Sequence, residues 1–365
     1  MIKTKLTEMV GIKHPIIQAG MGPYSTNSLG AAAANAGALG LISTSGFRYG
    51  GMAPELLERL TGGKGETTYE MMKQILHRIK EETRQSQGIF GINCPVAAEV
   101  AKSSREIIQA VIDVRNEDPE LKERLRVIVT SAGDPLPWTE IIKPSGVKWF
   151  HVVPSVRHAQ RCERAEVDVI IASGHEGGMH IAWEPVHTMV LLPAVVKAVK
   201  TPVVGAGGFC DGATLVAALA LGAVGVQMGT RFIATKESEF NQFWKDHIVK
   251  SGERDTIVAR GIFGPGRYLK NEVSMELTEM TVRKAPGLYL GQPEDLATLD
   301  PEVMRKEIDG FSGLFAEDEK KALLPGGEVA GRIDELPTVK ELVDSTMREA
   351  EEIILSLPEK LGGKK

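Results

Sequence analysis

The sequence has little cysteine and no surplus of positive charge. Cys94, Cys162 and Cys210 are the only cysteines among its 365 residues, and none is spaced as in a CxxC pair. A disulfide framework or a zinc site is therefore not expected, and a reducing cytoplasm suits the chain. The net charge of −5 argues against a nucleic-acid partner, which usually faces a basic surface. The first residues lack the apolar core of a signal peptide.

Long uncharged runs are also scarce. Residues 212–229 form one, and its length could suit a membrane span. Gly222, Gly225 and the polar Gln227 interrupt it, and it divides into an Ala/Leu-rich helix and a Val-rich strand. The run therefore predicts two elements of a globular domain, and no membrane partner is expected.

The dominant pattern in the chain is the alternation of short apolar runs with longer helical stretches. Eight strands alternating with helices predict an α/β fold of the (β/α)8 TIM-barrel type, and a doubly wound open sheet is the alternative. The predicted strands are Ile16–Ala19, Leu39–Ser43, Ile89–Asn93, Val127–Thr130, Val147–Val152, Val167–Ala172, Val203–Ala206 and Gly225–Met228. The predicted helices include Ser28–Ala36, Tyr69–Arg84, Val96–Val114, Val156–Ala165, Thr188–Val199 and Gly212–Leu221.

The pattern divides the chain into three parts. Residues 1–235 form the predicted barrel, with enlarged outer helices in the charged regions 47–86 and 97–125. Residues 236–330 are rich in glycine and poor in strand signals, which predicts a lid or a small, mostly helical extra domain. Apolar residues recur at helical spacing after Pro337, so 331–365 is expected to end in an amphipathic helix that packs back on the barrel.

The chemistry of a (β/α)8 barrel lies at the C-terminal ends of its strands, and several strands here end in glycine. Gly207 and Gly208 follow the seventh predicted strand, and Gly229 and Thr230 follow the eighth. Bare backbone N–H groups at these two strand ends are typical of a phosphate site. The segment GAGGFCDG does not match the dinucleotide fingerprint G-x-G-x-x-G, since Cys210 takes the place of the third glycine.

The sixth predicted strand leads into a segment that carries two histidines. His175 and His180 are five residues apart with glycines between them, which excludes a zinc-binding HExxH helix, and no metal is expected. A flexible loop that brings an imidazole over the barrel mouth is the preferred interpretation. His14 lies before the first strand and is expected to be structural. His151, near the end of the fifth strand, could face the site or the core.

Six segments carry a family pattern in order along nearly the whole chain. They are HPIIQAGMG, GINCPV, SVRHAQRCERAEVDVIIASGHEGGMH, VLLPAVVKAV, TPVVGAGGFCDGATLVAALALGAVGVQMGTRFIATKES and AGRIDELPTVKELVDSTMREAEEI. In these segments the chain resembles the nitronate monooxygenase family, formerly called 2-nitropropane dioxygenases. That family includes FMN-dependent NAD(P)H:quinone reductases and flavin enoyl-acyl-carrier-protein reductases.

The resemblance implies FMN as the cofactor and His180 as the catalytic acid or base, because Gly174 and Glu176 keep the spacing of the family's G-x-E-x-G-G-H loop. It implies that Gly20, Met21 and Gly22 lie against the flavin ring and that Asn93 hydrogen-bonds it. The other implied flavin contacts are Ser173, Gly174 and Gly178 along the ribityl chain and ring edge, and Gly207, Gly208, Gly229 and Thr230 at the phosphate.

The chain departs from the family pattern beside the substrate. Met179 replaces a glycine of the loop, and Val152 stands where some quinone reductases carry lysine. Oxidation of alkyl nitronates with O2 is the first hypothesis. An NAD(P)H-dependent reductase of quinones or of an enoyl thioester is the second, and a non-catalytic flavin-binding protein is disfavoured by His180. A small-molecule substrate is expected, with NAD(P)H as a donor and a homodimer left open.

Overall fold

A computed structural model describes residues 2–49 and 54–362 of the protein. Eight parallel strands close a barrel in the order β1-β2-β3-β4-β5-β6-β8-β9, with β9 paired to β1. This confirms the predicted (β/α)8 barrel over the open sheet. The barrel strands are β1 Ile16–Gln18, β2 Leu39–Ser43, β3 Phe90–Pro95, β4 Leu125–Ser131, β5 Lys148–Val153, β6 Val169–Ser173, β8 Val203–Ala206 and β9 Val226–Met228, and the short β7 Met179–His180 lies outside the barrel.

Helices alternate with the barrel strands and enclose them. The two long charged regions, 47–86 and 97–125, each divide into separate helices at local capping signals. In one, Thr67 and Glu70 cap a helix reciprocally, and in the other Asp118 caps a helix that begins at Pro119. The helices of this part are α1 Lys5–Val10, α2 Asn27–Asn35, α3 Pro54–Thr61, α4 Thr68–Glu82, α5 Ala101–Glu117, α6 Pro119–Arg124, α7 Thr139–Ile142, α8 Val156–Arg164, α9 Thr188–Ala198, α10 Gly212–Ala220 and α11 Thr230–Ile233. Residues 50–53 of the predicted region 47–86 lie outside the described residues.

The region after α11 contains a sheet that the sequence analysis missed. Strands β10 Thr256–Gly261 and β11 Gly264–Leu269 form a hairpin, and β11 also pairs with β7, so a three-stranded antiparallel sheet joins the appended region to the barrel loop. The region is mostly helical, as predicted, but the expectation that it is poor in strands is wrong at 256–269. Three glycines and Pro265 within 261–266 weaken the strand pattern. The helices around this sheet are α12 Gln242–Lys250, α13 Glu272–Lys284 and α14 Pro301–Phe315.

The last helix, α15 Val339–Lys360, packs against α2 and α10 of the barrel, as its apolar stripe predicts. Val339, Val343 and Met347 are buried in the layer between the barrel strands and the helices. A separate core forms around Trp244 and Leu314 of the appended region. In the part of the chain that the structure describes, no helix combines the length and the apolar character needed to cross a membrane.

Candidate active site

A cavity of about 670 Å³ opens where the C-terminal ends of the barrel strands meet the appended region. Its volume lies within the range of about 300–1,000 Å³ that small-molecule sites occupy. The barrel contributes loop glycines and a few polar side chains. The appended region contributes a wall that includes Trp183 of the loop after β7, Arg260, Ile262 and Phe263 of the hairpin, and Glu294 and Leu296.

Most of the predicted flavin contacts line this cavity. The residues of the predicted set that line it are Gly20, Met21, Gly22, Asn93, Ser173, Gly174, Gly178, Gly207, Gly229 and Thr230. Gly208 is not among the lining residues, and the side chain it lacks would face Glu176. The structure therefore brings together residues that are more than 200 positions apart in the sequence, and places Gly208 just behind the wall.

Glycine is required at several of these positions because backbone or side-chain atoms crowd them. A Cβ on Gly20 would lie 2.6 Å from the Cβ of Asn93, and one on Gly178 would lie 2.7 Å from the backbone nitrogen of Gly327. Gly207 has a φ of +85°, and a Cβ there would lie 2.9 Å from the carbonyl oxygen of Gly174. The wall at these positions is thus bare backbone, which suits a phosphate or another oxyanion.

Gln227 is a polar residue of the cavity wall that the sequence analysis did not single out. It lies in β9, and its side-chain oxygen is buried without a hydrogen-bond partner. A buried unpaired acceptor is costly, so a ligand N–H group that reached it would be favoured. The glycine-lined end and this acceptor together fit the phosphate and the polar ring edge of a flavin nucleotide. Within residues 2–49 and 54–362, no cluster of three or more His, Cys, Asp or Glu side chains could hold a metal ion.

His180 lines the same cavity, but it does not lie in a flexible loop. Met179 and His180 form β7, which pairs with Arg267 and Gly266 of β11. The imidazole meets the ring of Phe263 edge to face, with 6.2 Å between the ring centroids. An exposed imidazole on an ordered strand at a cavity wall is well placed to exchange a proton with a bound substrate.

His151 and His14 do not line the cavity. His151 is buried in β5 on the side opposite Phe150, which packs inside the barrel, and its Nδ1 shares a hydrogen bond of 2.7 Å with the Thr130 hydroxyl. Burial lowers the pKa of His151 to about 4. This settles the open question of the sequence analysis in favour of the core. His14 is buried before β1, and its backbone N–H donates to the carbonyl oxygen of Gly37. This position suits the structural role expected from the sequence.

His175 stands at the start of the loop that leads to His180. It does not line the cavity, and its ring meets that of His187 edge to face. Burial, with a smaller contribution from the Arg267 cation, lowers the pKa of His175 to about 4. The ring is therefore neutral at pH 7 and a weak base.

Arg267 holds this loop in place from the appended sheet. Its Nε and Nη2 both donate to the carbonyl oxygen of His175, at 3.2 and 3.0 Å, and Nη1 donates to Thr256 at 3.0 Å. Its Nη2 also lies 3.0 Å from the carboxylate of Glu328. The residue pairs through its backbone with Met179, so one arginine fixes both ends of the segment between His175 and His180.

We expect Arg267→Lys to destabilise the protein and loosen this segment. A lysine cannot form the two-pronged contact to His175, and a hydrogen bond from a charged group contributes about 1.5–3 kcal/mol. The variant should melt at a lower temperature. Arg254→Lys, at an arginine whose side chain is 89% exposed, is the control and should match the parent. Equal melting temperatures in both variants would show that Arg267 is not the anchor.

Comparisons with known proteins agree with this architecture. The family model described as nitronate monooxygenase matches residues 3–349. A (3aS,4S,5R,7aS)-5-hydroxy-7a-methyl-1-oxo-octahydro-1H-indene-4-carboxyl-CoA dehydrogenase of Rhodococcus jostii (strain RHA1) is 30% identical and aligns over 96% of both chains. A probable nitronate monooxygenase of Staphylococcus aureus (strain Newman) is 29% identical over 76% of this chain and 81% of that protein. The structure of FabK from Thermotoga maritima has a TM-score of 0.77 and 28% identity, with 99% of this chain and 100% of that chain covered.

Proposed function

Since this chain belongs to the nitronate monooxygenase family and is an oxidoreductase, we propose that it uses FMN and that its organic substrate is an acyl thioester. The observation that carries the proposal is the lining of the cavity. It combines the glycines of the strand ends with apolar and aromatic side chains of the appended region. An acyl chain offers more apolar surface to such a wall than a small nitroalkane anion does.

The barrel end of the cavity is the proposed flavin seat. Gly178, Gly207, Gly229 and Thr230 would hold the phosphate through backbone N–H groups and a hydroxyl, and Gln227 would accept from the polar edge of the ring. The chain offers one phosphate cradle and no dinucleotide fingerprint, which favours FMN over FAD. When bound, FMN supplies two-electron chemistry that no protein side chain offers.

The appended wall would bind the acyl group. Ile181, Ile262, Phe263 and Leu296 offer apolar surface next to His180. His180 would hold or deliver the proton at the carbon next to the thioester carbonyl, because a double bond is made or reduced only if a proton moves together with the hydride.

The relatives support a thioester in a second way. The Rhodococcus protein, which aligns with 96% of this chain, is named for an acyl-CoA substrate. FabK, a structural neighbour that covers 99% of this chain, is an enoyl-acyl-carrier-protein reductase. We propose NADH or NADPH as the electron donor for a reaction in that direction.

Nitronate oxidation is the second candidate function. It is supported by the family model and by the probable nitronate monooxygenases that match about three quarters of the chain. His180 would then remove a proton from a nitroalkane or bind the oxygens of the anion.

Anaerobic flavin spectroscopy separates these two functions. The purified protein should release FMN on denaturation, bleach with NADH or NADPH, and recover its colour when trans-2-octenoyl-CoA is added without oxygen. A protein that bleaches with propyl nitronate, but whose reduced flavin ignores the enoyl thioester, would support the second candidate and contradict the first. Release of FAD would contradict the proposed cofactor.

A further inference from the structure

In the appended wall of the cavity, an arginine and a glutamate lie close together without a hydrogen bond between their side chains. Arg260 of β10 and Glu294 both line the cavity, and Arg260 is 2% exposed. Its Nε lies 3.8 Å from the nearer carboxylate oxygen of Glu294, which is too long for a hydrogen bond. Its Nη2 donates instead to the backbone oxygen of Glu294 at 3.3 Å. The Nε of Arg260 and the carboxylate of Glu294 are therefore a donor and an acceptor that lie side by side without a hydrogen bond between them.

The guanidinium of Arg260 is held firmly in this place. Its Cζ lies 4.9 Å from the centre of the Trp183 ring, and Nη1 donates to the carbonyl oxygen of Gly261. Glu294 is fixed as well, because one of its carboxylate oxygens accepts from the N–H of Gly287 at 2.8 Å. Neither side chain is a loose surface group that happens to point inwards.

Arg260 lines the cavity, unlike Arg115 and Arg231, two other buried arginines whose Nε has no hydrogen-bond partner. Its Nε is buried without a hydrogen-bond partner among the described residues. The other buried arginine of the same sheet, Arg267, lies outside the cavity lining, and its Nε, Nη1 and Nη2 all have oxygen partners. A buried charged group with an unused donor carries a desolvation cost that a ligand oxygen would relieve.

The chemistry of the pair selects the kind of ligand oxygen. Glu294 balances the charge of Arg260, and Glu307 is a second carboxylate near the same guanidinium, so an anionic group would gain the arginine but meet the carboxylates. A hydroxyl can accept from the arginine and donate to the carboxylate at the same time. The surrounding wall is apolar, with Ile181, Ile262 and Leu296.

We propose that the acyl group of the substrate is apolar except for a hydroxyl group, which binds to Arg260 and Glu294. This inference rests on the proposed function, because it describes the acyl part of the thioester. Arg260 and Glu294 then determine which acyl thioesters are accepted, whereas His180 serves the reacting carbon.

The test compares the FMN-loaded enzyme's affinity for trans-2-octenoyl-CoA with its affinity for the 5-, 6-, 7- and 8-hydroxy derivatives, by titration calorimetry. At least one hydroxylated thioester should bind about tenfold more tightly than the parent compound, the gain expected of a hydrogen bond to a charged group. The matching oxo derivative should gain less, since it can accept but cannot donate. Hydroxy derivatives that bind no more tightly than the parent compound would overturn the proposal.

Two variants assign the gain to the pair. Arg260→Met should bring the ratio of the two affinities close to one. Glu294→Gln keeps the contact to Gly287 and is the safer variant for folding, and it should lower the ratio at least about threefold because a neutral acceptor forms the weaker bond. Glu302→Gln, at a carboxylate that pairs with Lys284 on the surface, is the control and should leave the ratio unchanged.

A ratio that survives both cavity variants would overturn the assignment. Failure of the proposed function has a different signature. In that case none of the thioesters, hydroxylated or not, would bind or reoxidise the reduced flavin, and the inference would fall with it. Turnover of octenoyl-CoA without any effect of the hydroxyl group would refute the inference alone.

Discussion

The His180→Ala variant is expected to keep its FMN and to lose about 10²–10⁴-fold in turnover, the usual range for loss of a general acid or base. Its imidazole lies on the cavity wall, on an ordered strand, with the ring of Phe263 beside it. Histidine is the side chain that most often serves as a general acid or base in enzymes. Stopped-flow traces of flavin reduction and reoxidation measure the loss for each half of the cycle.

His175→Ala is the matched comparison, because His175 belongs to the same segment. It does not line the cavity, and burial lowers its pKa to about 4, so its ring is neutral at pH 7 and cannot serve as an imidazolium acid. We expect a small effect on turnover from this variant. Normal turnover in His180→Ala together with an inactive His175→Ala would show that the motif had been aligned to the wrong histidine. Normal turnover in both would assign the proton to water or to another group.

The barrel could be predicted because its signal is repeated. Each strand is short, apolar and followed by a turn, and each helix has an apolar stripe, so an error at one boundary leaves the count intact. The strands found at 39–43 and 203–206 have the predicted bounds, and the ends of the others differ from the prediction by at most two residues. Glycine at the strand ends also points to the right part of the barrel, since only a bare backbone fits there.

The appended side of the cavity could not be predicted in the same way. The hairpin at 256–269 is broken by glycine and proline, so its alternating pattern is weak. Arg260 and Glu294 are 34 residues apart and meet only because the hairpin folds over the barrel mouth. From the sequence alone, Arg260 and Glu294 are indistinguishable from ordinary charged surface residues. Gln227 was missed for another reason: its strand was predicted, but an unpaired amide oxygen is visible only once its neighbours are known.

The two glycines after β8 are a further case in which the structure separates residues that the sequence cannot. Both Gly207 and Gly208 have a φ near +85°, so both need glycine for their backbone conformation. Only Gly207 lines the cavity. The sequence cannot separate two adjacent glycines of one turn, because which of them faces a ligand depends on the direction of the chain as it leaves the strand.

We therefore expect Gly207→Ala to weaken FMN binding about 10- to 100-fold, while Gly208→Ala has a much smaller effect. A methyl group on Gly207 would lie 2.9 Å from the carbonyl oxygen of Gly174, so the turn must shift and its N–H groups would leave the phosphate. Loss of one hydrogen bond to a charged group accounts for this range. Fluorescence titration of the stripped protein with FMN measures it.

Two controls separate the cradle from simple backbone strain. Gly208→Ala carries nearly the same positive φ, but its Cβ would meet only the side chain of Glu176, at 3.8 Å. Gly146→Ala has a φ of +67° with nothing within 4 Å of the added methyl group, so it measures strain alone, far from any proposed contact. If all three variants bind FMN equally, the phosphate is not held at Gly207, and the flavin seat must lie elsewhere along the cavity. If only Gly208→Ala loses FMN, then the backbone N–H that binds the phosphate is that of Gly208 and not that of Gly207.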